Sequence, residues 1–157
     1  MSIDPYTPPN PNHLNTVAGN PEYVGFWLRT VATIVDTLLI LAITLPLLVS
    51  IYGWAYFGES KGWIAGPADF LLSWVFPALA CILFWYRKQA TPGKMAVSAK
   101  VVDARTGNPI SLGQSIGRYF AYIVSSLPLG IGFFWIAFDS RKQGWHDKLA
   151  GTVVVKR

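Results

Sequence analysis

The sequence predicts an all-α integral membrane protein: two transmembrane helices and a helical hairpin, with a small cytoplasmic β element. Three observations lead there. Only 13% of the 157 residues are charged while 52% are hydrophobic, against roughly 25% charged in a soluble domain. The charges crowd into short segments between long uncharged runs. The basic residues are also unevenly shared among those segments, which sets an orientation. This composition excludes an ordinary cytosolic globule, and it excludes disorder, which needs low hydrophobicity and high net charge. The net charge of +5 points to membrane headgroups and not to nucleic acid, because the basic residues flank apolar runs and form no free patch. Cys81, the single cysteine, lies in an apolar run and reads as a packing residue, with no disulfide and no thiolate metal site.

Residues 1–21 are rich in Pro and Asn without an amphipathic period, and read as a mobile cytoplasmic tail before a membrane domain over 22–157. No basic n-region precedes the first apolar run, so no cleaved signal peptide is expected. The first span covers about 29–52; Val31 to Tyr52 holds one charge, Asp36, and is long enough to cross a core of roughly 30 Å. The second, about 69–86, is bracketed by Asp69 and Arg87 and ends in the interfacial pair Trp85-Tyr86. Trp54, Tyr56 and Trp63 between the spans resemble an aromatic belt on the opposite face.

The third apolar region, 112–138, has the length of one crossing but is broken by Pro128, Gly130 and Gly132. A helix begins at Ser111, because Ser111-Leu112-Gly113-Gln114 is a capping box. Charge decides the rest. The loop 87–111, together with Arg118, carries six basic residues against Asp103 alone, and the tail 139–157 carries Arg141, Lys142, Lys148, Lys156 and Arg157. Both segments are therefore expected in the cytoplasm. An even number of passes must separate them, so 112–138 is read as a hairpin turning near Pro128–Gly132, either two short crossings or a re-entrant loop. The alternating run 96–102 and the β-branched run 152–155 agree, since each strand needs a partner and both would lie on one face.

Ionisable groups inside a span cost about 2.5–3.5 kcal/mol each and face protein or water. Arg29 and Asp36 are seven apart and share a helix face with Thr33, and Thr44 continues the stripe. Arg29 can snorkel from the cytoplasmic end, whereas Asp36 lies deeper and needs a donor or water from another helix. Ser115, Arg118, Tyr122 and Ser125 form a matching stripe on the hairpin. Gly113, Gly117 and Ala121 make a small-residue row suited to close helix approach. Trp145-His146-Asp147-Lys148 reads as an amphipathic turn at the cytoplasmic surface, with His146 and His13 as surface residues. Two isolated histidines give no metal spacing, and no cofactor is expected. Thr91-Pro92 reads as a helix start with Thr91 capping. No nucleophile–base–orienter set is visible, so the chain is not expected to be an enzyme.

Several short motifs in combination carry a resemblance. Tyr23 to Arg29 running into a helix with Asp36, Thr91-Pro92-Gly93-Lys94, Val101-Val102-Asp103 with Gly107, and Phe138-Asp139 followed by Trp145 to Thr152 resemble the RDD family of membrane proteins over 22–157. The resemblance implies that the family's arginine and two aspartates are Arg29, Asp36 and Asp147, with Asp139 the rival for the last place. It implies transport of an ion or small solute, sodium–proton exchange being the specific form, in a bacterial inner membrane. A carboxylate held between desolvation and a nearby guanidinium of Arg29 or Arg118 can trade a proton for a cation. So few short passes make a thin pathway, so a homo-oligomer is expected. The alternative is a non-transporting accessory or scaffold subunit of a larger membrane assembly, in which Arg29, Asp36 and a third acid form a structural ionic network.

Overall fold

A computed structural model describes residues 21–58 and 63–157. The predicted tail, with His13, lies outside the described residues apart from its last position, as do Glu59 and Lys61. Helix α1 runs Phe26–Tyr52 and ends where Gly53 turns to a positive φ of 66°. A 3-10 turn follows at Trp54–Phe57. A second continuous helix, Pro67–Lys88, is made of α2 (Pro67–Phe70), a π-helical turn at Leu71–Val75, and α3 (Phe76–Lys88). Pro77 accounts for the wide turn, because its ring cannot donate to the preceding turn and crowds the carbonyl of Ser73. Asp69 opens this helix as a buried acid, and its carboxylate accepts from Tyr56 Oη at 3.0 Å, Ala65 N at 2.8 Å and Ser73 Oγ at 2.7 Å.

Both long helices have the length and apolarity to cross a membrane, yet only 11% of the most apolar stretch of each is buried within the chain. Leu38, Leu79 and Leu83 are among the side chains left exposed. Such a surface is sustainable in lipid or against a partner, not in water.

Helix α4 (Pro92–Ala96) leads into β1 (Ala99–Asp103), and β1 pairs antiparallel with β2 (Thr152–Lys156) in the register Val101 with Val154 and Asp103 with Thr152. The two predicted β runs therefore do find each other, with Ala96, Val97 and Ser98 lying outside the strand. The segment before α1 joins the other edge of β2, where Val24 N donates to Val154 O at 3.0 Å and Lys156 N to Glu22 O at 2.9 Å. Val24, Trp85, Ala99, Val101, Ile110 and Val154 close a small core beneath this sheet. Segments preceding α1, following α3 and following the third apolar region thus meet in one layer.

That third region is α5 (Leu112–Ser126) and α6 (Ile131–Phe138). The capping box at Ser111 forms, with Gln114 N donating to Ser111 Oγ at 3.1 Å and Ser111 N to Gln114 Oε1 at 3.0 Å. The break falls over 127–130 as expected, but the arms meet at 100°. The region is neither a straight third span nor an antiparallel hairpin. Gly132 explains the tight elbow: a Cβ there would lie 2.7 Å from Ser125 Cα. Arms of 15 and 8 residues reach about 22 and 12 Å, each short of a roughly 30 Å hydrocarbon core.

Close approach is placed differently from the expected small-residue row. Gly117 faces open space and Gly113 meets only Ser111 Oγ at 3.8 Å, whereas a Cβ on Gly93 would sit 2.0 Å from Ala32 O. Glycine 93 lets α4 touch the backbone of α1. Gly93→Ala is expected to destabilise the protein by about 1–3 kcal/mol or more, as overpacking does. Gly117→Ala, which only removes backbone freedom from an exposed helix position, is expected to raise stability by up to about 1 kcal/mol. Thermal denaturation of the two variants in one detergent compares them directly.

Candidate functional site: a buried carboxylate between two arginines

Helix α7 (Trp145–Ala150) starts at Gly144 and carries Asp147 at its third position, where an acid can reach back to the exposed N-terminal N–H groups. Gly144 N does donate to Asp147 Oδ2 at 3.1 Å. The rest of the carboxylate faces inward and is fully buried. Arg29 Nη1 of α1 pairs with Oδ2, and Arg118 Nη1 of α5 pairs with Oδ1 at 2.6 Å. Arg118 Nη1 also donates to Thr152 Oγ1 at 2.6 Å, which brings in β2. Burial favours a neutral Asp147, but Arg118 and then Arg29 outweigh it and hold the carboxyl well below the usual carboxylate range.

Arg29 does not snorkel. It is 7% exposed and spends its whole guanidinium on protein, with Nε donating to Val24 O at 2.9 Å and Nη2 to Lys142 O at 2.6 Å. The stripe on α5 is buried at Ser115, Arg118 and Ser125, but it faces α7 and β2, not Asp36. His146 is no surface residue either: it is 2% exposed, stacked on Tyr122 with centroids 4.2 Å apart. Its backbone N donates to Ser125 Oγ at 3.0 Å. Desolvation first, with Arg118, Arg29 and Lys94 adding to it against the opposing Asp147, lowers the imidazole to about 3.

Asp36 and Asp139 lie outside this cluster. Asp36 accepts from Thr91 Oγ1 at 2.5 Å and Gly93 N at 2.7 Å. Thr91 does precede α4 with Pro92 at its first turn, but its hydroxyl does not cap the helix; the carboxylate of α1 performs that role from outside. Asp139 pairs with Lys148 at 2.5 Å and accepts from the N–H groups of Arg141 and Gln143 at 3.1 Å each. Of the two rivals for the third motif position, Asp147 is the one that meets Arg29.

Ser125, His146 and Asp147 come together in the order of a hydrolytic relay. The geometry does not serve one: Ser125 Oγ lies 3.3 Å from His146 Nδ1, His146 Nε2 is 3.6 Å from Asp147, and Ser125 is sealed beneath Gly132. Sequence reasoning missed His146 as a buried residue and Thr152 and Lys94 as members of the interior. The signal was present in the α5 stripe: Ser115 bonds back to Ser111 O at 3.0 Å, but Arg118 and Ser125 needed partners from elsewhere, and Asp147, Thr152 and His146 supply them.

An apolar helical frame with this Arg–Asp core defines a class of small membrane protein. The chain belongs to the RDD family, whose model matches residues 23–151. The uncharacterized membrane protein YteJ of Bacillus subtilis is 29% identical over 139 residues, covering 85% of this chain and 80% of that one. Uncharacterized protein RP437 of Rickettsia prowazekii is 51% identical over 75 residues, or 48% of this chain and 41% of its own length. The proline-rich antigen of Mycobacterium leprae is 34% identical over 94 residues, 56% of this chain and 37% of that protein. The chain thus spans less than half the length of RP437 and of the antigen. No solved structure matches significantly.

Asp147→Asn strands two buried guanidinium groups and is expected to cost about 3–5 kcal/mol, read as loss of monodisperse protein. Asp139→Asn, facing a half-exposed lysine, is expected to cost no more than about 1 kcal/mol. Stability also depends on His146: its folded value lies below the unfolded one, so the unfolded chain takes the proton first. The contribution is complete above about pH 6.5 and drains as pH falls toward about 3. In melts across that window, His146→Phe is expected to flatten the slope.

Proposed function

We propose that this RDD-family protein moves an ion or small solute across a bacterial inner membrane, with sodium–proton exchange at Asp36 as its specific form. The observation that carries the proposal is the position of Asp36: half-buried, ten residues into a 27-residue apolar helix, on the wall of a cavity of about 350 Å³. Thr33, Cys81, Phe84 and Tyr119 contribute the surrounding wall, which is overwhelmingly apolar. Each Asp36 oxygen takes one hydrogen bond from the α4 segment, and a carboxylate has about four acceptor positions. The remainder can take a proton or a cation.

The sheet supports a shared side for the segments before α1, between the long helices and α5, and after α6, since all three contribute to it. The lysines and arginines of the latter two support the cytoplasmic side. The exposed apolar faces support lipid and further copies of the chain as partners, without nucleic acid, and two copies would close a pathway that one leaves open. We read the chain as non-enzymatic. A second reading, a non-transporting scaffold subunit, draws on the Arg29–Asp147–Arg118 cluster, which fixes four elements without requiring flux.

The test is pH-driven cation flux in proteoliposomes, with Asp36→Asn beside the wild type and both matched for folding. Asn keeps the shape and one acceptor but loses the charge, so flux is expected to vanish in the variant. Equal flux in both proteins rules out Asp36 as the exchanging group. No flux in either, across several cations, favours the scaffold.

A further inference from the structure

A second cavity, of about 370 Å³, opens between α1, α5 and α6. Its mouth is apolar, with Phe26, Ile34 and Phe134 on the wall. Ile34 and Phe134 are more than half exposed, so the cavity communicates with the surface that lipid tails would cover. Its floor is cationic, formed by Arg29, Arg118 and Lys94.

Arg118 is fully buried and pairs with Asp147 and Thr152 through Nη1, with the Tyr122 side chain as a further neighbour; among the described residues Nε and Nη2 have no partner in hydrogen-bond geometry. These two N–H groups lie on one edge of the guanidinium, the fork that matches two oxygens of a phosphate or carboxylate. Leaving buried donors unsatisfied costs free energy, more so on a charged group. Lys94 lines the same cavity. Its Nζ lies 5.7 Å from the Trp85 ring centroid and Arg118 Cζ lies 5.2 Å from the same centroid. Lys94 is 6% exposed, and among the described residues no carboxylate lies within ion-pair distance of it. Two cations thus share one indole in a buried setting. Arg29, Arg118 and Lys94 bring three positive charges there, and Asp147 and Asp36 return two. His146 stays neutral and returns none.

We infer that this cavity binds a phosphate group, that of an amphiphile or a free phosphate, with the Nε–Nη2 edge of Arg118 and the ammonium of Lys94 as its donors. Phosphate fits the donor set better than carboxylate, because a tetrahedral group offers a third oxygen to Lys94 after two are taken by the fork. The Tyr122 ring, 5.9 Å from the guanidinium carbon, and Phe133 wall the group off. The apolar part lies along Ile34 and Phe134 toward the mouth. Asp36 is not one of the donors, although Lys94 also lines the cavity on which Asp36 lies; the site stands whether or not the protein exchanges cations.

Isothermal titration of the full chain in a neutral maltoside detergent tests this, with inorganic phosphate in one arm and short-chain phosphatidylglycerol in the other. Binding of inorganic phosphate identifies a free phosphate ligand; binding of the lipid alone identifies a headgroup. Both support the site. Lys94→Gln removes the ammonium without breaking an ion pair, and Arg118→Lys removes the fork while keeping a charge opposite Asp147. Each is expected to weaken binding at least about tenfold, roughly 1.4 kcal/mol. Lys94→Gln decides the matter alone if Arg118→Lys fails to fold. The inference is overturned if neither ligand binds the wild type, or if Lys94→Gln melts like the wild type and binds as tightly. Flux is not read in this experiment, so its failure is distinct from failure of the transport proposal.

Discussion

The carboxylate of Asp147 is the point on which the rest of the structure depends. It is the one fully buried acid among the described residues, and it holds α1 through Arg29 and α5 through Arg118 while belonging to α7. Arg118 extends the cluster to Thr152 of β2. Burying any one of these charges alone would cost several kcal/mol, and a buried pair recovers that cost only with good geometry and further hydrogen bonds. Arg29 meets that condition in full, since all three of its nitrogens have partners. The cluster therefore fixes which arrangement of helices is tolerated more than it adds net stability.

Asp147 and Asp36 do different physical work. Asp147 lies at the start of a short helix and collects guanidinium groups. Asp36 lies in the middle of a long one and caps α4, a helix belonging to another part of the chain. Capping from a distance requires α4 to come against α1, which is why Gly93 has no room for a side chain. Each acid uses the N–H groups at a helix start, Asp147 its own and Asp36 a neighbour's.

Much of this was legible in the sequence because it rests on local or strongly periodic signals. Both long helices, the Ser111 capping box, the break after Ser126 and the pairing of the two β runs follow from hydropathy, turn residues and the need to pair strand backbones. The site was legible in its parts and not in its assembly. Arg29, Arg118 and Asp147 were each conspicuous as charges beside apolar runs, but nothing local says that Asp147 and not Asp36 meets both arginines. That choice belongs to the packing of α7 against α5. Glycines mislead for the same reason: the regular row Gly113, Gly117 faces outward, while the isolated Gly93 and Gly132 make the tight contacts. Snorkelling was the natural expectation for Arg29, and it is set aside only because Val24 O, Lys142 O and Asp147 converge on it.

Arg29 and Asp147 are separated by 118 positions, and β2 follows every apolar segment that the structure describes. During synthesis Arg29 and the whole of α1 therefore leave the ribosome well before the counter-charge of Arg29 exists. Until α7 arrives, Arg29 lacks its carboxylate, and the first strand of the sheet must wait with an open edge. Assembly of this protein is consequently a closing step, in which the same carboxylate that holds the finished fold also ends a vulnerable interval for the nascent chain.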